Sequence, residues 1–224
     1  VPRCLKPEPI NNELFNRYVF WQQGNGFNFR NGVDIIAKDF LTRKGYTAID
    51  HDQLLSIVSE HKNSGKGNIV VLLSVPLPKE FLKTDSINVL HEFMQSGGML
   101  VGVGNNPLVF DVDDKGNFNG FNYRRCDTII GIPYAENDLR SLAGLFTATA
   151  TAEGKQMGIK DHWVGVSPVN KKDVDILLGV DEKGRASAWA KKNGSGYFIQ
   201  LWIDPVFPED YNFVDEVIKN MEKK

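Results

Sequence analysis

The sequence predicts an α/β fold: a three-layer sandwich with a mostly parallel central sheet and a β-rich C-terminal half. Three observations lead there. Strand and helix patterns alternate through the first 120 residues with short connections. Two continuous apolar runs, 68–75 (NIVVLLSV) and 99–103 (MLVGV), have strand length and the composition of strands buried on both faces. After Pro107 helical spacing gives way to short β segments separated by turn residues.

Residues 18–22 (YVFWQ) form an aromatic and β-branched strand run ending at Gly24. A helix is predicted over 33–44, where Val33, Ile36, Ala37, Phe40 and Leu41 recur at helical spacing and Gly45 terminates it. Residues 47–50 read as a short strand. Asp52 then precedes Leu54, Leu55 and Val58 as an N-cap ahead of an amphipathic face. Pro76 and Pro78 stop the 68–75 strand. Residues 85–95 are helical, with Ile87, Leu90, His91 and Met94 near one face, and Gly97-Gly98 leads into 99–103. The order β-α-β-α-β-α-β requires right-handed crossovers with helices on both faces, and makes 68–75 and 99–103 adjacent parallel strands. Residues 108–112, the DDKGN turn and 118–123 read as a hairpin or an irregular excursion. Residues 147–152, 176–180 and 186–190 are β segments, 197–203 (YFIQLWI) is a further strand, and 210–221 closes the chain as a helix. No internal repeat interrupts this, so the expected organisation is an N-terminal arm at 1–16 and one domain at 17–224.

The composition excludes several classes. The chain has 224 residues, is 42% hydrophobic and 24% charged, and carries a formal net charge of -2, which together suit a folded domain with no basic field for nucleic acid. No apolar run reaches the roughly 18 residues of a membrane span. Residues 1–9 are Pro-rich and lack the apolar stretch of a signal peptide. The missing initiator Met raises the expectation of a processed chain or a fragment of something larger. Cys4 and Cys126 either pair, tying down the arm, or are free. Without CxxC or CxxH spacing no structural zinc is expected.

Two stretches carry a family resemblance. Residues 68–106, NIVVLLSVPLPKEFLKTDSINVLHEFMQSGGMLVGVGNN, run as strand, short loop, helix, GG, strand and glycine loop. Residues 194–221, GSGYFIQLWIDPVFPEDYNFVDEVIKNM, end in G-x-G, strand, D-P, N-F and helix. Both resemble class I glutamine amidotransferase-like domains, which have a flavodoxin-like architecture. The likeness is to their non-catalytic relatives, among them accessory and trimerisation domains of bacterial glycosidases and related gliding-motility, intraflagellar-transport and oligosaccharyltransferase domains. The resemblance places the nucleophile at Gly104, in a turn without Cys or Ser, and the partner histidine in 203–209 (IDPVFPE), which has none. It therefore implies that the amidotransferase chemistry is absent.

Cys126 follows Arg124 and Arg125, which favour a thiolate, but a structural cysteine is the simpler reading. His61 and His91 read as surface residues of helices; His51 and His162 stand as lone histidines. Asp111, Asp113 and Asp114 (DVDDKGN) have the beginnings of a calcium loop, but Lys115 and the lack of a closing Glu favour an ordinary turn. The loop after the first strand mixes aromatic rings with amides: Trp21, Gln22, Asn25, Phe27, Phe29. Such a mixture suits sugar binding, by stacking and by amide hydrogen bonds to hydroxyls. This loop, the Asn105-Asn106 turn and the Asp204–Pro208 segment all follow strands, so parallel strands should bring them to one rim.

The expected function is thus a non-catalytic binding or assembly domain of a larger carbohydrate-related or envelope-associated protein. Its ligand-binding candidates are Trp21, Gln22, Asn25, Phe27, Asn105, Asn106 and Asp204. No cofactor, metal, nucleic acid or membrane insertion is expected; other domains, other subunits and carbohydrate are the expected partners, in an extracytoplasmic or envelope-associated setting. The alternatives are a hydrolase using the strand-end cleft, with Asp204, Glu209 and His162 as acid–base groups, and a small-molecule sensor.

Overall fold

Parallel pairing organises the first half of the chain. In the computed structural model, which describes residues 15–23, 33–61, 66–74, 77–84, 87–113, 115, 117–134, 146–165, 168–202 and 211–224, β1 (Phe15–Phe20) lies between β2 (Thr47–Ile49) and β3 (Gly67–Leu72). β3 pairs in turn with β4 (Met99–Val103), parallel throughout, in the adjacency that their apolar sequences predict. The crossovers carry α1 (Val33–Arg43), α2 (His51–Glu60) and α3 (Val89–Gln95).

The second half extends the same sheet by antiparallel pairing. After α4 (Arg124–Ile130) come β7 (Phe146–Ala150), α5 (Ala152–Gln156), β8 (His162–Gly165), β9 (Ile176–Asp181), β10 (Ala186–Asn193), β11 (Gly196–Leu201) and α6 (Asn212–Met221). β11 inserts beside β4 in parallel, and β10, β9, β7 and β8 follow antiparallel, giving the order β2-β1-β3-β4-β11-β10-β9-β7-β8. A separate hairpin, β5 (Phe110–Val112) with β6 (Phe118–Phe121), follows β4 in the chain.

Alternation along the central strands builds two cores. Val70, Leu72, Leu100 and Phe198 face one way, against Leu54 and Val58 of α2, Phe93 and Met94 of α3, and Ile129 and Ile130 of α4. Ile69, Val71, Val101 and Ile199 face the other way, against Ala37 and Leu41 of α1 and Val214, Val217 and Ile218 of α6. Both faces of the sheet are therefore covered, the arrangement that demands continuous apolar strands.

Local chemistry moves several boundaries from their expected places. β1 starts at Phe15, inside the expected arm, and stops at Phe20 rather than Gln22. Its polar early residues are accommodated because Asn16 donates to Asn68 Oδ1 at 2.9 Å and Arg17 grips the Glu222 carboxylate at 2.8 and 2.9 Å. α2 is capped by Asp50, not Asp52: the Asp50 carboxylate accepts from Gln53 N, and the Gln53 side chain accepts from Asp50 N. α3 begins at Val89, not Asp85, because the Asn88 side chain accepts from Leu90 N and donates to the Phe81 and Lys83 carbonyls. Ile87, placed on the helix by its spacing, is outside it and 74% exposed. Gly97 (φ +105°) turns the chain out of α3 as expected. α4, α5 and β8 were not foreseen. They have seven, five and four residues, too few for a periodic signal to stand out.

Candidate functional site

β1, β3, β4 and β11 are mutually parallel neighbours, so Phe20, Leu72, Val103 and Leu201 end at one rim of the sheet. The strands that precede the three expected segments therefore end side by side, while residues 24–31 and 204–208 themselves lie outside the described residues. At β1, Trp21 Nε1 donates to Asp34 Oδ2 at 2.7 Å, and the Lys38 ammonium lies 4.4 Å from the Trp21 ring centroid. Asp34 is buried in the first turn of α1, where the helix dipole favours a carboxylate. The Tyr211 hydroxyl is pushed up in pKa by burial and by the nearby Asp34 charge. The Trp21 indole therefore pins β1 to α1, and a cation covers part of its ring. Beside it, Gln22 N donates to the buried Ser74 hydroxyl at 2.7 Å.

The centre of the rim is the turn after β4. Gly104 takes φ +90°, which a side chain would resist, and its N–H donates to the Leu201 carbonyl at 3.0 Å. Its own carbonyl accepts from Gln200 Nε2 at 2.7 Å; the same amide reaches Leu201 O at 3.2 Å and Gly102 O at 3.4 Å. Both backbone polar groups of Gly104 are thereby consumed by β11. Asn106 is buried: its Oδ1 accepts from Leu108 N at 3.0 Å and its Nδ2 donates to the Tyr134 hydroxyl at 3.4 Å. It caps a short 3-10 turn, Pro107–Val109, rather than facing a ligand. Asn105 is half-buried and stays at the rim.

Of the seven expected ligand-binding residues, the structure places Trp21, Gln22, Asn105 and Asn106 at the ends of β1 and β4, while Asn25, Phe27 and Asp204 lie outside the described residues. The Asn106 side chain and the Trp21 indole N–H have internal partners, Leu108 N and Tyr134 for the first and Asp34 for the second. Glu209 also lies outside the described residues. His162 sits on β8, four strands from β11 and so about 19 Å across the sheet at ordinary strand spacing. It is remote from the rim it was expected to serve.

The model of the MJECL34 family matches residues 16–211, nearly the whole of this architecture. The chain belongs to the MJECL34 family. No curated protein matches this family member in sequence. Among solved structures, a β-galactosidase from Bacillus circulans sp. alkalophilus is similar at a TM-score of 0.54 and 12% identity, over 93% of this chain and 31% of that one. The exo-β-1,4-mannosidase Op5Man5 from Opitutaceae bacterium strain TAV5 is similar at 0.50 and 13%, over 94% of this chain and 34% of that one. A thuA-like protein from Bacteroides uniformis has a TM-score of 0.48 and 11% identity, with 95% and 94% covered. The MJECL34 chain spans about a third of the length of the glycosidase chains it matches. For the two glycosidases, at these identities, the likeness is one of fold.

The other expectations resolve by geometry. Cys126 carries a free thiol in the core, and burial pushes its pKa far above the ordinary range despite Arg125. A thiol held neutral is no nucleophile. Cys4 lies outside the described residues. Asp113 accepts from Lys115 N at 2.8 Å and Asn117 N at 2.9 Å, and Asp111 pairs with Arg125 at 2.8 Å, so these carboxylates make the hairpin turn and its anchor. His61 is not a surface residue: it is 5% exposed, with its ring 4.7 Å from that of Phe93. His51 opens α2 and lies 3.3 Å from Glu80, and His91 Nδ1 lies 2.9 Å from the Ile129 carbonyl. Where the parallel strands begin, a cleft of about 550 Å³ lies between Phe15, His61, Gly67, Ser96 and Ser195.

Sequence reasoning missed Asp34, Ser74 and Gln200. The last had a signal: it is the single polar residue in the strand run YFIQLWI.

Proposed function

We propose that this chain is a non-catalytic binding or assembly domain of a larger carbohydrate-related protein, with a glutamine amidotransferase-like fold and its contact surface at the strand-end rim. One observation carries the reading. The turn that the resemblance assigns to the nucleophile holds Gly104, whose N–H and carbonyl are both spent on β11, at Leu201 O and Gln200 Nε2. A nucleophilic acyl transfer needs an activated side chain there and free donors for the developing oxyanion. The coverage of about a third of each glycosidase chain supports a part within a larger whole, and the names of those chains support the carbohydrate setting. An extracytoplasmic or envelope-associated location goes with the same reading.

Two measurements test it. Ammonia release from glutamine and hydrolysis of nitrophenyl glycosides are expected to stay at the buffer level; reproducible turnover overturns the non-catalytic reading. Phe27→Ala and Asn105→Ala then separate the two uses of the rim. Loss of small-molecule binding at unchanged solution mass marks a ligand surface, and loss of oligomerisation marks an assembly surface. If neither variant changes either property, the rim is not the contact surface.

A further inference from the structure

We propose that His61 is a pH-operated latch between α2 and α3: as a neutral ring it holds the two helix ends together, and on taking up a proton it lets them part. The latch lies where the parallel strands begin, at the end of the sheet opposite the rim. The buried stripe of α2 runs Leu54, Val58, His61, the spacing of one helix face. Leu54 and Val58 are apolar and share a core with Phe93 and Met94 of α3. His61 is the C-cap of α2, and its ring lies 4.7 Å from the Phe93 ring with the planes 54° apart. It also hydrogen-bonds the backbone of Ser96, the C-cap of α3. The Ser96 N–H is spent on Glu92 O at 3.1 Å, so the group that His61 meets is the Ser96 carbonyl, and an imidazole N–H donates to it. One side chain thus ties the last turn of α2 to the last turn of α3.

The seat suits a neutral ring. A neutral imidazole has one N–H, and Ser96 accepts it. An imidazolium brings a second N–H and a full charge into a position closed to water. Burial is the largest influence on His61 and opposes the charged form; the bond to Ser96 acts the other way and is smaller. Among the described residues the charged groups around the seat are Glu60 on α2, Glu92 on α3 and Lys66 ahead of β3. The Glu60 carboxylate accepts from Ser56 Oγ at 2.9 Å, and Lys66 repels a second cation. His91 is turned to α4, with Nδ1 2.9 Å from the Ile129 carbonyl, and His51 sits at the other end of α2, 3.3 Å from Glu80.

An exit for the charged ring lies alongside. The cleft of about 550 Å³ is lined by His61, Lys66, Ser96, Gly97 and Ser195, so a protonated ring that leaves Phe93 reaches water without crossing the core. The start of α2 stays fixed by the reciprocal cap between Asp50 and Gln53, which confines the parting to its last turn. The latch is closed above the ordinary histidine pKa and opens as the pH falls towards the lower value of the buried ring.

The test is amide hydrogen exchange of the chain at pH 7.5 and 5.5, with times adjusted for the intrinsic pH dependence of exchange, alongside an NMR titration of the His61 ring. At pH 5.5 the amides of residues 57–61 and 96–98 are expected to lose protection several-fold and to exchange ahead of those of β3 and β4. The loss should follow the titration of the ring. His61→Phe keeps a ring against Phe93, and His61→Gln keeps a donor for Ser96; in each, these segments should exchange alike at the two pH values. Unchanged protection at pH 5.5 overturns the proposal, as does a His61 ring that titrates without any loss. So does a last turn of α2 that exchanges only in step with β3 and β4, since the fold then opens as a whole. A pH-dependent loss that persists in either folded variant assigns the effect to His51 or His91, and the latch fails. If neither variant folds, the titration and exchange of the parent chain decide alone.

Discussion

The side-chain amide of Gln200 donates to the carbonyl oxygen of Gly104 at 2.7 Å, joining β11 to the turn after β4 across 96 positions of sequence. Three carbonyl oxygens surround Nε2, so the amide has one sensible orientation and Oε1 is left buried without a partner. It rests against Gly102, where a Cβ would come within 3.0 Å of it. Glycine at 102 and glutamine at 200 therefore fit as a pair, and the rim's central turn depends on both.

Gln200→Leu keeps the volume but removes the donor, leaving the Gly104 carbonyl unsatisfied in a part-buried setting. A loss of about 1–3 kcal/mol is expected in urea denaturation. An unchanged midpoint would show that water serves the turn equally well.

Leu100 is fully buried in the centre of the sheet, between β3 and β11. Leu100→Asp places a carboxylate there with no partner and should cost several kcal/mol, enough to abolish a cooperative thermal transition at neutral pH. A melt close to that of the parent would refute the central position of β4.

Gly154 lies in α5 against β9, and a methyl group there would run into the backbone carbonyl oxygen of Leu178. A backbone atom held in a sheet moves less easily than a side-chain tip. Gly154→Ala is therefore expected to destabilise the fold by about 1–3 kcal/mol although alanine favours helix. A gain in stability would mean that α5 is not packed on β9.

Burial pushes the His61 pKa below its ordinary value, and a hydrogen bond to the Ser96 backbone offsets only part of this. The unfolded chain then takes up the proton first, at about pH 6.5. The stability linked to His61 is complete above that pH and falls as the pH drops towards the lower folded value. The thermal midpoint should decline between pH 7.5 and 5.5, and His61→Gln should make that decline shallower. An identical slope in the variant would remove His61 as its source.

Much of the fold was legible because its signals are local. The 99–103 strand and the helix starting at Val33 were read nearly to the residue, since burial on two faces and a one-sided helix write different periodicities into short windows. Helix starts were less legible. Asp50 and Asp52 are equally good capping residues, and only the reciprocal contact with Gln53 distinguishes them. The polar partners at the candidate site were not legible in the sequence. Trp21 and Asn106 have the residue types of a binding surface, but their polar groups meet Asp34 and Tyr134 inside the protein.

The sequence by itself determined the layered α/β class, the adjacency of the two apolar strands and a glycine turn at Gly104 without Cys or Ser. Each follows from residue identity within a short stretch of chain. Only the tertiary structure decided that β11 inserts beside β4, that Gln200 holds the Gly104 turn, and that a one-residue bulge at Gly120 turns Phe118 and Phe121 to the same side. Those outcomes depend on strand partners and on register. The free energy of pairing is shared between segments far apart in the chain, and no single window of sequence contains it.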